Sequence, residues 1–293
     1  MHMSNPLVTI AIPAFKSAFL TDSIRSVLKQ QYPHFELIVL DDNSPEDLFG
    51  IVRRFQDSRI RFVRNEVNLG HNSVAHTWNK CIELANGEYF LLLCDDDMLL
   101  PNMVSAMLSI AKQYPECGMF HANRYILHKS GEQVADISWP SEEDLDKFIN
   151  HKFAGERPHT ISEFFYRTDA IRNEKYAIFP AGYYSDDVTI LQLCMRQRKM
   201  VSSIDPLVIF RESDIHISGS NQYIEGKILA FIQYYRYLQS DSLLTDRISL
   251  NGYECILSQY LMHCDKKTIV KLLPSLPVSC SMLKTILYLF FKR

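Results

Sequence analysis

The first hundred residues alternate short apolar runs with segments of helical periodicity. Residues 7–12, 35–40 and 88–93 are runs of strand length in which nearly every residue is apolar. Such runs suit strands buried on both faces of a parallel sheet. Between them apolar residues recur at helical spacing, for example across residues 20–28. The alternation predicts an α/β fold, in which an open, mostly parallel sheet is flanked by helices that make right-handed crossovers.

The regular alternation ends near Pro101. Beyond it we expect a strand at 118–122, a hairpin turn at 129–132, and helices at 102–114, 226–238 and 253–262. Residues 141–159 are polar and carry few strong signals, so we interpret them as a mobile loop.

Charge and glycine spacing exclude several classes of protein. Thirty-one basic and thirty-four acidic residues leave a net charge of -3, which argues against binding nucleic acid by bulk charge. The two closest glycines, Gly219 and Gly226, lie seven residues apart. Neither a GxGxxG dinucleotide loop nor a GxxxxGK[ST] phosphate loop can therefore be drawn, which excludes the usual dehydrogenases and the P-loop NTPases.

The cysteines and the hydropathy pattern indicate a cytoplasmic location. The seven cysteines are odd in number and contain no CxxC pair, as expected for free thiols in a reducing compartment. No run of about eighteen apolar residues occurs, so no membrane-spanning helix is predicted.

Residues 266–293 differ from the rest of the chain. They contain six basic residues and no acidic one, interleaved with leucines and aromatic residues. This composition suits peripheral association with the inner face of an anionic membrane, although a helix docked on the core is the alternative. We expect Tyr234, Tyr235 and Tyr237 to be exposed, where they would mark either a dimer interface or a membrane face.

Three predicted strands end in polar clusters, at residues 13–16, 41–44 and 94–97. In an open parallel sheet, ligands bind beyond the carboxyl ends of the strands. The last cluster contains three consecutive carboxylates, and packing such like charges together costs free energy unless a cation lies among them. Mg²⁺ or Mn²⁺ would serve, and a solvated acidic turn before the next helix is the alternative.

Several segments resemble the family 2 glycosyltransferases of GT-A fold in order and spacing. They are residues 8–15, 26–33, 35–44, 68–89 and 95–101. The resemblance covers about residues 6–215, and nothing beyond Ser220 resembles the family. It implies an inverting, metal-dependent transfer of a hexosyl group from a nucleoside diphosphate sugar, in bacterial-type synthesis of surface polysaccharides.

The resemblance also implies how the nucleotide base is held. The backbone around Pro13, Ala14 and Phe15 would grip the base, and Asp42 would accept a hydrogen bond from an imide N–H. Uracil and thymine offer that donor, as does guanine, whereas adenine and cytosine do not. This leaves UDP-, dTDP- and GDP-sugars as candidate donors, and of these we expect a UDP-sugar.

The acidic metal-binding motif of the family falls on the three consecutive carboxylates. Asp96 takes the position of the direct ligand of Mn²⁺ or Mg²⁺, a Lewis acid toward the departing diphosphate. Cys94 stands where many members have the first aspartate of the motif, which leaves open whether Asp95 or Asp97 assists. His216 is a further candidate ligand of the metal or phosphate, although its register differs from that of the family.

The general base of the family aligns with Asp187, which would accept the proton of the acceptor hydroxyl. The alternative is that Asp186 or Asp187 only caps the helix that follows. Arg211 is expected at the diphosphate, because a guanidinium can bind its oxygens bidentately. Arg157 and His159 are weaker candidates for contact with the acceptor or the pyrophosphate.

We expect residues 1–220 to form the transferase domain, with a nucleotide-binding half at 6–100 and an acceptor half at 101–220. Residues 221–293 would form a helical C-terminal region. The expected acceptor is a hydroxyl of a glycan or lipid-linked glycan. The alternatives are a non-catalytic nucleotide-sugar or carbohydrate-binding relative and a sugar-nucleotide pyrophosphorylase, whose glycine-rich basic loop is missing after the first strand.

Overall fold

The computed structural model describes residues 5–213, 223–276 and 280–292. Within these ranges the strands are β1 (Val8–Ala14), β2 (Phe35–Asp41), β3 (Ile60–Arg64), β4 (Tyr89–Leu92), β5 (Met98–Leu99), β6 (Met119–His121), β7 (Arg124–Leu127), β8 (Gln133–Asp136), β9 (Glu142–Asp144), β10 (Phe164–Arg167), β11 (Lys199–Val201) and β12 (Val208–Arg211). The α-helices are α1 (Leu20–Leu28), α2 (Leu48–Val52), α3 (Ala75–Leu84), α4 (Met103–Gln113), α5 (Leu145–Phe153), α6 (Thr168–Glu174), α7 (Ser185–Gln197), α8 (Ile224–Ser240), α9 (Leu250–Leu261), α10 (Lys266–Leu272) and α11 (Cys280–Lys292).

The central sheet has six strands in the order β3-β2-β1-β4-β10-β6. Neighbours among β1 to β4 pair in parallel, and β10 runs antiparallel between β4 and β6. Ala14 pairs with Asp41 at the last position of the β1–β2 register. The polar clusters after these strands therefore lie at one edge of the sheet. The expected α/β fold with a mostly parallel sheet is confirmed.

Both faces of this sheet are buried, and β1 shows how its sequence achieves this. Side chains alternate between the faces of a strand. Ile10 and Ile12 join a cluster that includes Ile24 of α1 and Met107 of α4. Ala11 joins the opposite cluster, which includes buried side chains of α3, α6 and α7. Because each face needs apolar cover, the strand is apolar at nearly every position.

The C-terminal helices add buried side chains to the cluster that contains Ala11. Phe231 of α8, Leu257 of α9, Ile269 of α10 and Ile286 of α11 are all buried members of it. The helix α11 therefore docks on the core with one face, as the alternative interpretation of the tail expected. Its other face leaves four large apolar side chains exposed: Leu283, Leu287, Tyr288 and Phe291.

The expectation that Tyr234 is exposed is wrong. Its side chain is only 5% exposed, because its ring stacks on that of Tyr184 with centroids 4.7 Å apart. A tyrosine on α8 thus faces the body of the protein and does not mark a dimer interface or a membrane face. The sequence could not show this, since the two rings come from segments fifty residues apart.

The interpretation of residues 141–159 as a mobile loop is also wrong. This segment contains β9, which pairs with β11, and the helix α5. Asp144 caps the helix by accepting a hydrogen bond of 3.0 Å from the backbone N–H of Lys147. Leu145, Phe148 and Ile149 form its buried face. Their spacing of three and four residues is helical, but the surrounding polar residues obscured it.

A second sheet has four strands in the order β5-β12-β7-β8, and its strands are interspersed in sequence with β6 and β10 of the central sheet. The predicted turn at 129–132 is confirmed, because β7 and β8 pair antiparallel around it and Gly131 there has a φ of 88°. None of the helices in the described ranges is long and apolar enough to cross a membrane.

Candidate active site

Asp95 joins the end of β4 to the loop after β1. Its Oδ2 accepts hydrogen bonds from the backbone N–H groups of Phe15 and Lys16, each at 2.9 Å. Burial raises the pKa of Asp95 to about 6, although both backbone bonds oppose this shift. The contact brings the predicted base-binding segment and the predicted metal motif together. Asp95 itself is occupied in holding that loop.

Asp42 is saturated by donors from the protein. Its Oδ1 accepts from Asn65 Nδ2 at 2.7 Å and Leu69 N at 2.9 Å. Its Oδ2 accepts from Gly70 N at 2.8 Å and Thr77 Oγ1 at 2.7 Å. A carboxylate has about four acceptor positions, and all are filled here. Asp42 thus anchors the turn at residues 68–70, and its contact with a base, which stays a prediction, requires one donor to move.

Two carboxylates could hold a divalent cation at the end of β4. One ligand atom each of Cys94, Asp96 and Asp97 lies within 4.8 Å of the others. Burial raises the pKa of the Cys94 thiol strongly, so the thiol stays protonated and is a poor ligand for a hard cation. Burial and the charge of Asp96 raise the pKa of Asp97 to about 8, and the positive charge of a bound cation would lower it again. The donor set therefore fits Mg²⁺ or Mn²⁺ on the oxygens of Asp96 and Asp97.

Arg211, the last residue of β12, secures this acidic turn. Its backbone N–H donates to Asp97 Oδ1 at 3.1 Å, and its Nε donates to the backbone carbonyl of Asp96 at 3.1 Å. The guanidinium also lies 3.1 Å from Asp22 Oδ2 and above the ring of Phe19. A contact of the guanidinium with the diphosphate stays a prediction. His216, the other predicted ligand in this part of the sequence, lies outside the described residues.

The predicted base lies in the first turn of α7. Lys152 Nζ of α5 donates to Asp187 Oδ1 at 2.6 Å, and this lysine side chain is only 6% exposed. His159 Nε2 lies 3.7 Å from both Asp186 Oδ2 and Asp187 Oδ1. The helix begins at Ser185, so the two aspartates occupy its first turn and neither is the N-cap.

Opposing effects set the charges of this cluster. Burial raises the pKa of Asp187, but the positive charge of Lys152 and its hydrogen bond outweigh burial, so the pKa is lowered. Burial and the charge of Asp187 raise the pKa of Asp186 to about 7. Burial and Lys152 lower the pKa of His159 to about 4. Asp187 is therefore the ionised carboxylate of the pair and can accept a proton at neutral pH.

Ser162 connects the segment that carries His159 with the acidic turn. Its hydroxyl accepts from Cys94 N at 3.0 Å and donates to Asp97 Oδ2 at 2.6 Å. Sequence reasoning missed Ser162 and Lys152, because neither belongs to a motif and Lys152 lies in the segment interpreted as a loop. Arg157, a candidate for substrate contact, instead pairs with Glu143 through both carboxylate oxygens.

Three curated relatives are similar to much of the chain. The putative colanic acid biosynthesis glycosyl transferase WcaA of Escherichia coli K12 is 36% identical over 42% of this chain and 44% of its own. Glycosyltransferase GlyG of Streptococcus pneumoniae serotype 4 is 30% identical over 70% of both chains. The GalNAc(5)-diNAcBac-PP-undecaprenol beta-1,3-glucosyltransferase of Campylobacter jejuni is 24% identical over 84% of this chain and 76% of its own. The chain thus spans less than half the length of the E. coli relative.

Two solved structures share the fold. TarS 1-349 of S. aureus in complex with UDP-GlcNAc superimposes with a TM-score of 0.62 at 15% identity, over 96% of this chain and 78% of that one. The mannosyltransferase PcManGT of Pyrobaculum calidifontis, in complex with GDP-Man and Mn²⁺, gives a TM-score of 0.58 at 13% identity, over 99% and 82%. The fold is accordingly the GT-A fold.

A family model described as glycosyl transferase family 2 matches residues 9–173. The match covers more than half of the 293 residues and includes Asp42 and the three carboxylates after β4. Asp187 and Arg211 lie beyond it. The match to this model, together with the GlyG relative, shows that the chain belongs to glycosyl transferase family 2.

Proposed function

We propose that this protein is an inverting, metal-dependent glycosyltransferase that moves a sugar from a UDP-sugar to a hydroxyl of a glycan or lipid-linked glycan. The observation that carries the proposal is the carboxyl group of Asp187 in the first turn of α7, to which Lys152 Nζ donates at 2.6 Å. A protein that only bound nucleotide sugars would have no use for a base. The second acidic centre, at Asp96 and Asp97, supports a donor site at the end of β4.

Asp187 would act on the acceptor. The acceptor oxygen forms a bond to the anomeric carbon while Asp187 takes its proton. The bond from that carbon to the diphosphate oxygen breaks, and the diphosphate leaves with the electron pair. Because this is a single displacement, the anomeric configuration inverts. Lys152 stabilises the ionised form of Asp187 before the reaction, and it stays beside the carboxyl group as the carboxyl gains the proton.

Asp96 and Asp97 would hold the cation. When bound, Mg²⁺ or Mn²⁺ supplies positive charge to the oxygens of the leaving diphosphate. Hydrogen bonds hold the residues around the proposed cation site in place. Asp95 accepts from the loop after β1, and Ser162 donates to Asp97. The proposal of a metal draws support from the Mn²⁺ complex of the structurally similar mannosyltransferase.

The donor and acceptor are proposed from relatives. TarS, which shares the fold, binds UDP-GlcNAc. The C. jejuni relative is named for an acceptor linked to undecaprenol through a diphosphate, and the name of WcaA places it in colanic acid synthesis. The first name supports a lipid-linked acceptor for this protein, and the second supports a part in polysaccharide synthesis.

The substrate can be identified by nucleotide release. We expect one UDP-sugar, among a panel of UDP-, GDP- and dTDP-sugars, to release nucleotide with Mn²⁺ and not with EDTA. Many transferases slowly hydrolyse their donor without acceptor, so the assay needs no acceptor. Released nucleotide is measured by a coupled assay and donor binding by calorimetry. If no sugar nucleotide of the panel releases nucleotide and UDP does not bind, the proposed donor site is wrong.

We also propose that the exposed face of α11 lies on an anionic membrane surface. Leu287 and Phe291 on this face are 55% and 86% exposed, and residues 266–293 carry six basic residues and no acidic one. Apolar area and positive charge together favour the interface of an anionic bilayer.

Vesicle binding tests this face. Leu287→Glu and Phe291→Glu should each weaken binding to vesicles rich in phosphatidylglycerol about tenfold, since each removes a large apolar side chain from the interface. Binding is measured by co-sedimentation. Ile204→Glu is the matched control, because Ile204 is 73% exposed on another part of the surface. Equal binding of all four proteins would show that α11 does not contact the membrane.

A further inference from the structure

The turn that precedes the base helix is strained. Ala181, Gly182 and Tyr184 have φ angles of 55°, 82° and 62°. A left-handed conformation is strained for a residue with a side chain, and it persists only where the surroundings enforce it. Tyr184 directly precedes α7, so its conformation sets the direction in which Ser185 and the two aspartates leave the turn.

The C-terminal helices enforce this conformation. The hydroxyl of Tyr184 is hydrogen-bonded to that of Tyr260 on α9 at 2.8 Å. The ring of Tyr184 stacks on Tyr234 of α8 at an angle of 10°. Phe231, also on α8, lies 5.7 Å from the same ring. One side chain is thus fixed by a stack and a hydrogen bond from two different helices.

The other side of the turn is held by the transferase fold. The backbone N–H of Ala181 donates to the carbonyl of Asn72 at 2.7 Å. A Cβ added at Gly182 would come within 2.4 Å of Val74 Cγ2, so the backbone packs closely against the segment before α3. On the C-terminal side, a Cβ at Gly226 would lie 3.1 Å from Ala181 Cβ. The turn is therefore clamped between α3 and α8.

We propose that Tyr260 and Tyr234 are positioning residues for Asp187, and that α8 and α9 are a working part of the catalytic centre. This inference rests on the proposed function. The base must sit within hydrogen-bond reach of the acceptor hydroxyl, and a displacement of about 1 Å can cost a hundredfold in rate. The region that follows the family match at residue 173 would thereby control the geometry of the reaction.

Removal of single hydroxyl groups tests whether the contacts of Tyr184 with α8 and α9 position the base. Tyr260→Phe should lower kcat about tenfold and leave the Kd and KM for the donor within twofold, because the donor site lies on other elements. Tyr184→Phe removes the same hydrogen bond from its other end. The double variant should therefore be no slower than either single variant, since the two changes delete one interaction.

Tyr253→Phe is the matched control. Tyr253 lies on α9 as well and is 3% exposed, and its ring stacks on Phe231 and Tyr235 of α8, whereas Tyr260 is hydrogen-bonded to Tyr184 itself. Its kcat should equal that of the wild type, and the thermal midpoints of all variants should agree within a few degrees. If Tyr260→Phe keeps the kcat of the wild type, or if Tyr253→Phe loses as much kcat as Tyr260→Phe, the inference is wrong. The proposed function is not affected by either result. The absence of wild-type turnover would overturn the proposed function, and the inference with it.

Discussion

Replacing Asp187 by asparagine should lower kcat about a thousandfold and leave the Kd for the donor within about twofold. An amide cannot accept the proton of the acceptor hydroxyl, and general base catalysis contributes on the order of 10²–10⁴ in rate. The side chains beside Asp187 are those of Lys152 and His159, and neither belongs to the segments expected to hold the nucleotide. Steady-state kinetics give kcat, and calorimetry gives the Kd.

Asp186→Asn is the matched control for this experiment. It makes the same chemical change one residue away, on the carboxyl group whose pKa is raised to about 7 by burial and by Asp187. Asp187, and not Asp186, is the carboxyl group that the hydrogen bond from Lys152 holds in its ionised form, so we expect less than a tenfold loss. If kcat falls strongly in Asp186→Asn and only slightly in Asp187→Asn, the base is Asp186 and not Asp187. Full activity in both variants would exclude this pair as the source of the base.

Folding must be separated from catalysis in the Asp187 variant. The substitution leaves the buried ammonium of Lys152 beside a neutral amide, and an unpaired buried charge costs about 3 kcal/mol of unfolding free energy. Lys152→Met combined with Asp187→Asn removes that charge as well. The double variant should regain thermal stability and stay as slow as Asp187→Asn. This outcome assigns the loss of rate to the missing base.

The sequence predicts the first half of the fold well. Strands such as β1 and β2 are buried on both faces, so their residues are apolar regardless of what packs against them. The polar residues that end these strands meet at one sheet edge, because parallel strands share that edge. Local sequence therefore carries both the fold of residues 6–100 and the place of the acidic turn.

Partners that come from distant segments could not be predicted. The carboxylate of Asp42 is recognisable in the sequence, but its four donors come from residues 65–77 and no local pattern shows them. Lys152 reaches Asp187 across thirty-five residues. Tyr184 acquires its conformation from two helices that follow it by about fifty and seventy-five residues. In each case the sequence shows which residue is present, but the function of that residue depends on tertiary contacts that the neighbouring sequence does not predict.

The two parts of the candidate site are joined by few side chains. Ser162 bonds to Asp97, and His159, three residues earlier, faces the two aspartates of α7. A short segment therefore touches both the proposed metal carboxylates and the proposed base. Its position is set by the buried Glu163, which accepts from Thr160 and pairs with Arg124. The relative position of donor and acceptor would thus depend on this segment.

Replacing Asp96 by asparagine should lower kcat/KM about a hundredfold or more at saturating Mn²⁺. The cation is expected to supply several kcal/mol of charge stabilisation to the leaving diphosphate, and each 1.4 kcal/mol is a factor of ten in rate. The variant has one carboxylate fewer beside Asp97, so it should also need more Mn²⁺ for half-maximal rate. Titration of the rate with Mn²⁺ measures both effects.

Asp246→Asn is the control, because Asp246 is exposed and far along the chain from the acidic turn. It removes the same charge and should leave the Mn²⁺ titration unchanged. EDTA should abolish the activity of the control and of the wild type alike.

Thermal stability gives a second test of the metal. Asp97 lies beside Asp96 in a turn where burial penalises its charge, and a bound cation removes that penalty. Mn²⁺ should therefore raise the thermal midpoint of the wild type and not that of the Asp96 variant. Activity that persists in EDTA, with no shift of the midpoint, would mean that this turn works without a metal.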